Sequence, residues 1–298
     1  MTPSPPESRL LPHPRTGAGF PSPVPPGAGW PGDPAHPSTP VAATADDVVA
    51  LADAAPDLTA LDAASSVCRA CPRLVAWRED VAVVKRRAFR DQPYWGRPAP
   101  GFGDPAARLL VVGLAPAAHG ANRTGRLFTG DRSGDWIFAG LHRAGLASQA
   151  ESVDAADGLS LTDVRMVPAV RCAPPDNAPL PVERDTCAGW FRREVELTAG
   201  TVRAVLVLGA FGWRSMLGAA RSFGWEVPRP APVFAHGAHA PLRRPDGVVV
   251  HLVGSYHVSQ QNTQTGRLTE AMLDDAIATA VRLARRPALS DGDPTAET

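Results

Sequence analysis

Residues 108–115 read RLLVVGLA, a short apolar run that ends beyond a glycine and is followed by Pro116. An uninterrupted run of this length is how a strand reads when both faces of its sheet are covered. Three more follow: VRMVPAV (164–170), RAVLVLGA (203–210) and GVVVHLVG (247–254). Around them the apolar spacing turns helical, over 134–144, 182–197, 211–220 and 267–285. Strands alternating with helices predict an α/β fold with a parallel sheet covered on both faces.

The rest of the chain is read outward from that frame. Residues 45–67 are rich in Ala and Asp with helical spacing and predict one or two short helices. The whole stretch 45–287 is read as one catalytic domain. Residues 1–44 hold 13 of the 32 prolines. That composition offers little apolar surface against chain entropy, so a disordered Pro-rich arm is expected there. Residues 288–298, PALSDGDPTAET from Pro287 on, read as a loose tail.

Lys+Arg and Asp+Glu both total 30, giving a formal net charge of zero. That excludes a binder that works by bulk positive charge, though not a local basic groove. Lys85, Arg86, Arg87 and Arg90 form the densest basic cluster, a solvated face or a contact for a nucleic-acid backbone. The longest apolar run, Ala204 to Trp213, is ten residues. A helix needs about 20 to cross a bilayer, so no membrane partner is expected. The first residues, MTPSPPESRLLPHPR, lack the apolar core of a signal peptide, and the expected compartment is the cytoplasm.

Ligands of open parallel sheets bind beyond the carboxyl ends of the strands. Here those ends lead into the loops 115–131, 171–181 and 254–266. In the first, Phe128 is either core or a stacking platform for a flat ring, and Asn122, Arg123, Thr124 and Arg126 could bond a phosphate or a base edge. The loop matches neither common nucleotide fingerprint. Ser133 is the expected N-cap of the next helix, with Asp135 in its first turn. In the second loop Asn177 is the one amide, able to donate and accept at once, or simply a turn former. In the third, His257 stands just beyond a strand. The polar uncharged run Ser259, Gln260, Gln261, Asn262, Thr263, Gln264, closed by Gly266 and Arg267, suits a nucleic-acid groove or a solvated turn.

Cys68 and Cys71 form a C-x2-C pair, and Cys172 and Cys187 a wider one. Four soft ligands suit an iron–sulfur cluster or tetrahedral zinc. The wide second pair fits a cluster better than a zinc ribbon, and four unrelated buried thiols are the remaining reading.

Taken together, GLAPAAHGANRTGR with LFTGD, VRCAPP-x-N, HVSQQNTQTGRLT and the four cysteines resemble the uracil-DNA glycosylase superfamily, in particular its iron–sulfur family 5. The resemblance covers about 65–285. It implies a three-layer α/β/α sandwich around a central, mostly parallel four-stranded sheet. It implies a 4Fe–4S cluster on Cys68, Cys71, Cys172 and Cys187. It also implies a monomeric hydrolase of base excision repair that flips uracil out of DNA and cleaves its glycosidic bond. Hypoxanthine, ethenocytosine and hydroxymethyluracil are further expected substrates. Phe128 is then expected to stack on the base, Asn177 to read its edge and His257 to donate to a uracil oxygen. Ala115 stands where related enzymes carry Asp, Asn or Glu, so Asn122 is the candidate for positioning water. Gln260, Gln261, Asn262 and Arg267 are expected on the DNA. A non-catalytic iron–sulfur DNA-binding protein and a redox carrier are the competing readings.

Overall fold

The computed structural model describes residues 10–286. In chain order the elements begin with a small antiparallel hairpin, β1 (Leu11–Pro12) and β2 (Gly19–Phe20). Three helices follow: α1 (Ala45–Ala54), α2 (Leu58–Ser66) and α3 (Pro72–Val84). Next come β3 (Phe102–Gly103), β4 (Leu109–Gly113), the short α4 (Ala121–Thr124), α5 (Arg132–Arg143) and β5 (Val164–Pro168). The chain continues through α6 (Pro181–Thr198), β6 (Ala204–Leu208), α7 (Ala210–Ser222), β7 (His239–Arg243) and β8 (Val249–Ser255). It closes with α8 (Gln260–Gln264) and α9 (Glu270–Ala284).

The four apolar runs are the four parallel strands, side by side in the order β5-β4-β6-β8. The sheet has six strands rather than four, because β3 and β7 add an antiparallel strand at each edge. Neither carries a continuous apolar run. β3 is two residues long, and β7 (HAPLR) alternates exposed and buried positions around Pro241.

Alternation along the strands builds the two covering layers. Leu109, Val111, Val164, Met166 and Leu206 face α5 and α9, meeting Ile137, Phe138, Leu273 and Ile277. Leu110, Val112, Val205 and Val207 face α6 and α7, meeting Phe191, Val195, Trp213 and Met216. A third apolar cluster joins α1 and α2 to α6 and contains Cys172 and Cys187. Among the described residues no helix is long and apolar enough to cross a membrane.

Two expectations need correction here. The N-cap of α5 is Asp131, whose carboxylate accepts from the Ser133 and Gly134 N–H groups, so Ser133 lies inside the first turn. A carboxylate reaches two free amides and meets the helix dipole, which the Ser hydroxyl does less well.

The second concerns residues 1–44. From Leu10 onward the segment is packed on the body. Phe20, Val24 and Trp30 are buried with Trp95. The Trp30 indole N–H donates to Thr124 O at 3.0 Å, and Asp33 pairs with Arg97 at 2.6 Å in a buried contact. Averaged composition hid this. A few large side chains dominate the apolar area, and prolines reduce the entropy an ordered segment must lose. Residues 1–9 and the tail 288–298 lie outside the described residues.

Candidate active site

A cleft of about 980 Å³ opens where β4 and β5 end, at Gly113 and Pro168. Ala115, Phe128, Asn177, His257 and Gln260 all line it. Three loops far apart in sequence therefore meet at one place, as strand polarity requires.

Phe128 sits at φ +50°, in the left-handed region that a bulky residue avoids. Such a conformation costs roughly 1–3 kcal/mol and persists only where surrounding structure imposes it. Here the ring lies over Gly113, where a Cβ would come within 2.8 Å of the ring's Cζ. A side chain at Gly113 would displace the platform. Asn177 also has positive φ, at +55°, at the end of a single 3-10 turn, and it is exposed at the rim.

His257 follows β8 by two residues. Among the described residues its Nδ1 has no hydrogen-bond partner and is sealed from solvent, and the residue lines the cleft. Burial pushes its pKa down to about 4, so at neutral pH the ring is an uncharged imidazole. Asn262 braces it, donating from its amide to the His257 carbonyl at 2.8 Å. The Asn262 side chain is thus spent inside the protein, and it does not line the cleft. Gln261 is exposed on α8, and Arg267 packs over the Tyr256 ring at 4.7 Å, outside the cleft lining.

The first loop departs most from expectation. Asn122 is buried and turned away from the cleft, its amide donating to Arg78 O at 3.1 Å. Arg123 donates to His119 O and Gly130 O, both at 2.9 Å. Thr124 bonds back to Gly120 O at 3.2 Å. Arg126 makes a buried bidentate pair with Asp157 at 2.8 and 2.6 Å and also holds Ser152 and Thr129. These side chains are the frame of the loop, because a buried loop must satisfy its own backbone polar groups.

Three carboxylates line the cleft, Asp131, Asp135 and Asp154, and the first of them caps α5. Burial pushes the pKa of Asp131 up, against the pull of the Gly134 and Ser133 N–H groups. Gly120 leaves room for it, since a Cβ there would run into this carboxylate. The acid in LFTGD was visible in the sequence, but nothing in the spacing said that the loop turns back to present it. His119 and Arg86 line the same cleft. Arg86 thus belongs to the site, whereas Arg90 pairs with Asp91 at 3.4 Å on the surface.

The four cysteines come together in one apolar cluster. Cys68 follows α2, Cys71 caps α3 ahead of Pro72, Cys172 follows β5, and Cys187 lies on α6. Burial first, then the neighbouring Cys172 and Cys68 thiols, pushes Cys71 up to about 12. Cys172 and Cys187 are raised too, chiefly by burial. Thiols so placed are relieved by a cationic centre. Arg78 donates to Cys172 Sγ at 2.8 Å, and the Arg171 N–H to Cys187 Sγ at 3.4 Å, contacts that favour ligand thiolates. Among the described residues no group of three or more His, Cys, Asp or Glu side chains is spaced to close on a single metal ion. Four thiols drawn from the α2–α3 turn, the Cys172 loop and α6 are a donor set of the soft kind.

Beneath the cysteines lies a buried ring of charge. Arg165 donates to Asp62 and Glu194 at 2.6 Å each, and Arg171 donates to Glu194 at 2.5 Å. It ties α2, β5, the Cys172 loop and α6 together.

A model of the uracil DNA glycosylase superfamily matches residues 100–280. A type-5 uracil-DNA glycosylase of Mycobacterium tuberculosis is 58% identical over 272 residues, 91% of this chain and 98% of that protein. A protein of the same name from Thermus thermophilus is 52% identical over 219 residues, 74% of this chain and 94% of its own length. One from Pyrobaculum aerophilum is 41% identical over 213 residues, 72% of this chain and 87% of that protein.

Proposed function

The chain belongs to the uracil-DNA glycosylase superfamily, in its type 5, and from that premise we propose that this cleft excises uracil from DNA and leaves an abasic site. The observation that carries the proposal is the convergence of Phe128, Asn177 and a neutral, desolvated His257 on one cleft.

Flipping the nucleotide costs a few kcal/mol, offset by pocket contacts. The Phe128 ring stacks on the extruded base, and Asn177 pairs with its amide edge. As the N1–C1′ bond breaks, its electron pair moves onto uracil. His257 donates from Nε2 to the base oxygen where that charge gathers. A neutral donor suits the task because it needs no proton transfer. The sugar cation left at C1′ is met by water, whose oxygen forms the new bond and whose proton leaves to solvent. Asp131 takes over from Asn122 as the group that orients this water, and its carboxylate also faces the positive sugar. Ala115 leaves space beside the base. Reliance on leaving-group stabilisation extends the substrate range to hypoxanthine, ethenocytosine and hydroxymethyluracil.

Cys68, Cys71, Cys172 and Cys187 would hold a 4Fe–4S cluster. When bound it supplies a cross-link between the α2–α3 turn, the Cys172 loop and α6. Gln260, Gln261 and Arg267, with the basic turn at Arg86, face the DNA strand.

The test is base release from matched oligonucleotides carrying uracil, hypoxanthine or neither, with alkali revealing abasic sites. Wild type should cut the uracil strand, and His257→Ala should not. Equal release by both proteins would overturn the assignment of His257. No release by wild type that binds DNA and carries iron would overturn the proposal. Iron content and visible absorption, lost in Cys172→Ser and Cys187→Ser, test the cluster.

A further inference from the structure

We propose that the segment 10–44 is part of the DNA-binding surface and delivers Arg15 to the mouth of the cleft as a contact for a backbone phosphate. The inference rests on the reading of the cleft as a DNA site.

The segment crosses the body as a strap. Its anchor is Trp30, held by Thr124 O and packed against Trp95. Its free end is the β1–β2 hairpin, whose tip spans 13–18. His13 fixes that tip. Its ring is buried edge-on against Trp30 at 4.8 Å, and Nδ1 accepts from the Arg15 and Thr16 N–H groups, both at 3.3 Å. Burial holds His13 below the usual imidazole range, which preserves the lone pair those amides need.

The tip lands on the cleft. Pro14 lines it, and so does Asp154, to which the Arg15 Nε donates at 3.1 Å. Arg15 remains 49% exposed, whereas Asp154 is 6% exposed. Among the described residues no group accepts from the two η nitrogens of Arg15. A guanidinium pinned at one edge and open at the other is pre-organised for an anion.

Charge supports the same reading. The cleft is lined by Asp131, Asp135 and Asp154 as well as by Arg86, Arg123 and Arg132. Arg123 is committed to His119, Gln92 and Gly130. Without Arg15, Asp154 would meet the incoming phosphates as a bare carboxylate. With it, the pair is neutral and spare N–H groups point outward.

The test is the salt dependence of binding to a labelled duplex carrying a stable abasic analogue. Each lost phosphate contact reduces the slope of log K against log salt by about 0.9, or about 3.5-fold in affinity between 50 and 200 mM salt. Arg15→Ala should flatten the wild-type slope by that amount, and Arg15→Lys should keep it. The Arg15→Ala, Asp154→Asn double variant separates contact from masking. Its slope should stay flat. An unchanged slope in Arg15→Ala, or a restored slope in the double variant, overturns the proposal. Uracil release by the same wild-type preparation is the control. If wild type excises uracil and Arg15→Ala leaves the slope unmoved, only the strap contact fails. If wild type neither excises nor binds, the reading of the cleft fails first.

Discussion

The loop after β4 and the loop after β8 meet at the same cleft but are built in opposite ways. The first is nearly all internal contact. Asn122, Arg123, Thr124 and Arg126 are buried, and each bonds to backbone or to a partner inside the protein. The second is a single short helix, α8, with Gln260, Gln261 and Gln264 exposed and one brace from Asn262 to His257 O. The first loop holds a ring in a strained backbone position, and that needs over-determined surroundings. The second presents side chains outward and needs only to hold its root. Pre-organisation is concentrated in the loop that carries Phe128, and freedom in the helix that leaves its glutamines exposed.

That contrast can be broken from either side. The largest effect is expected at Arg126, where Arg126→Ala strands the buried Asp157 carboxylate. Removing one partner of a buried pair costs roughly 3–5 kcal/mol, measurable by urea denaturation. His257→Ala should leave folding nearly intact yet raise the excision barrier by about 2.7–4 kcal/mol, by analogy with oxyanion donors, read as single-turnover release. The same residue makes stability fall in acid. Its pKa is depressed from 6.5 to about 4 in the folded protein. Between those values the unfolded chain takes up a proton that the folded chain refuses. The contribution is present above about pH 6.5 and is lost as pH falls towards 4, so in His257→Gln the stability–pH curve should be flatter in that window. Phe128→Ala should lose base stacking of about 1–3 kcal/mol, seen in binding to a flipped-base analogue. Gln261→Ala is the smallest, within about 0.5 kcal/mol in stability, with weaker DNA binding as its only signature.

The same division accounts for what could be read from the chain. The four parallel strands were legible because a continuous apolar run of that length, closed by Gly or Pro, suits a buried strand and little else. The two edge strands were not, because β3 is two residues long and β7 is interrupted by Pro241. Phe128, Asn177 and His257 reach one cleft because each stands in a loop beyond a parallel strand, a placement the apolar runs already implied. Asn122 was misjudged because polar residues in a loop look like ligands until their hydrogen bonds are counted. Asp131 did not stand out for the converse reason, since capping a helix and lining a cleft are compatible for its two oxygens. The strap was hidden by proline content, which argues for extended chain but says nothing of where Phe20 and Trp30 are buried.

The sheet's two antiparallel borders have a consequence for crowded solution. A parallel sheet left open would offer a row of unpaired amides for another chain to extend. Here one border stops after Phe102 and Gly103, and Pro241 in the other has no N–H to give. Neither border can seed a growing ladder of copies. The sticky interior of the sheet is thus kept out of reach of neighbouring copies while the cleft stays open.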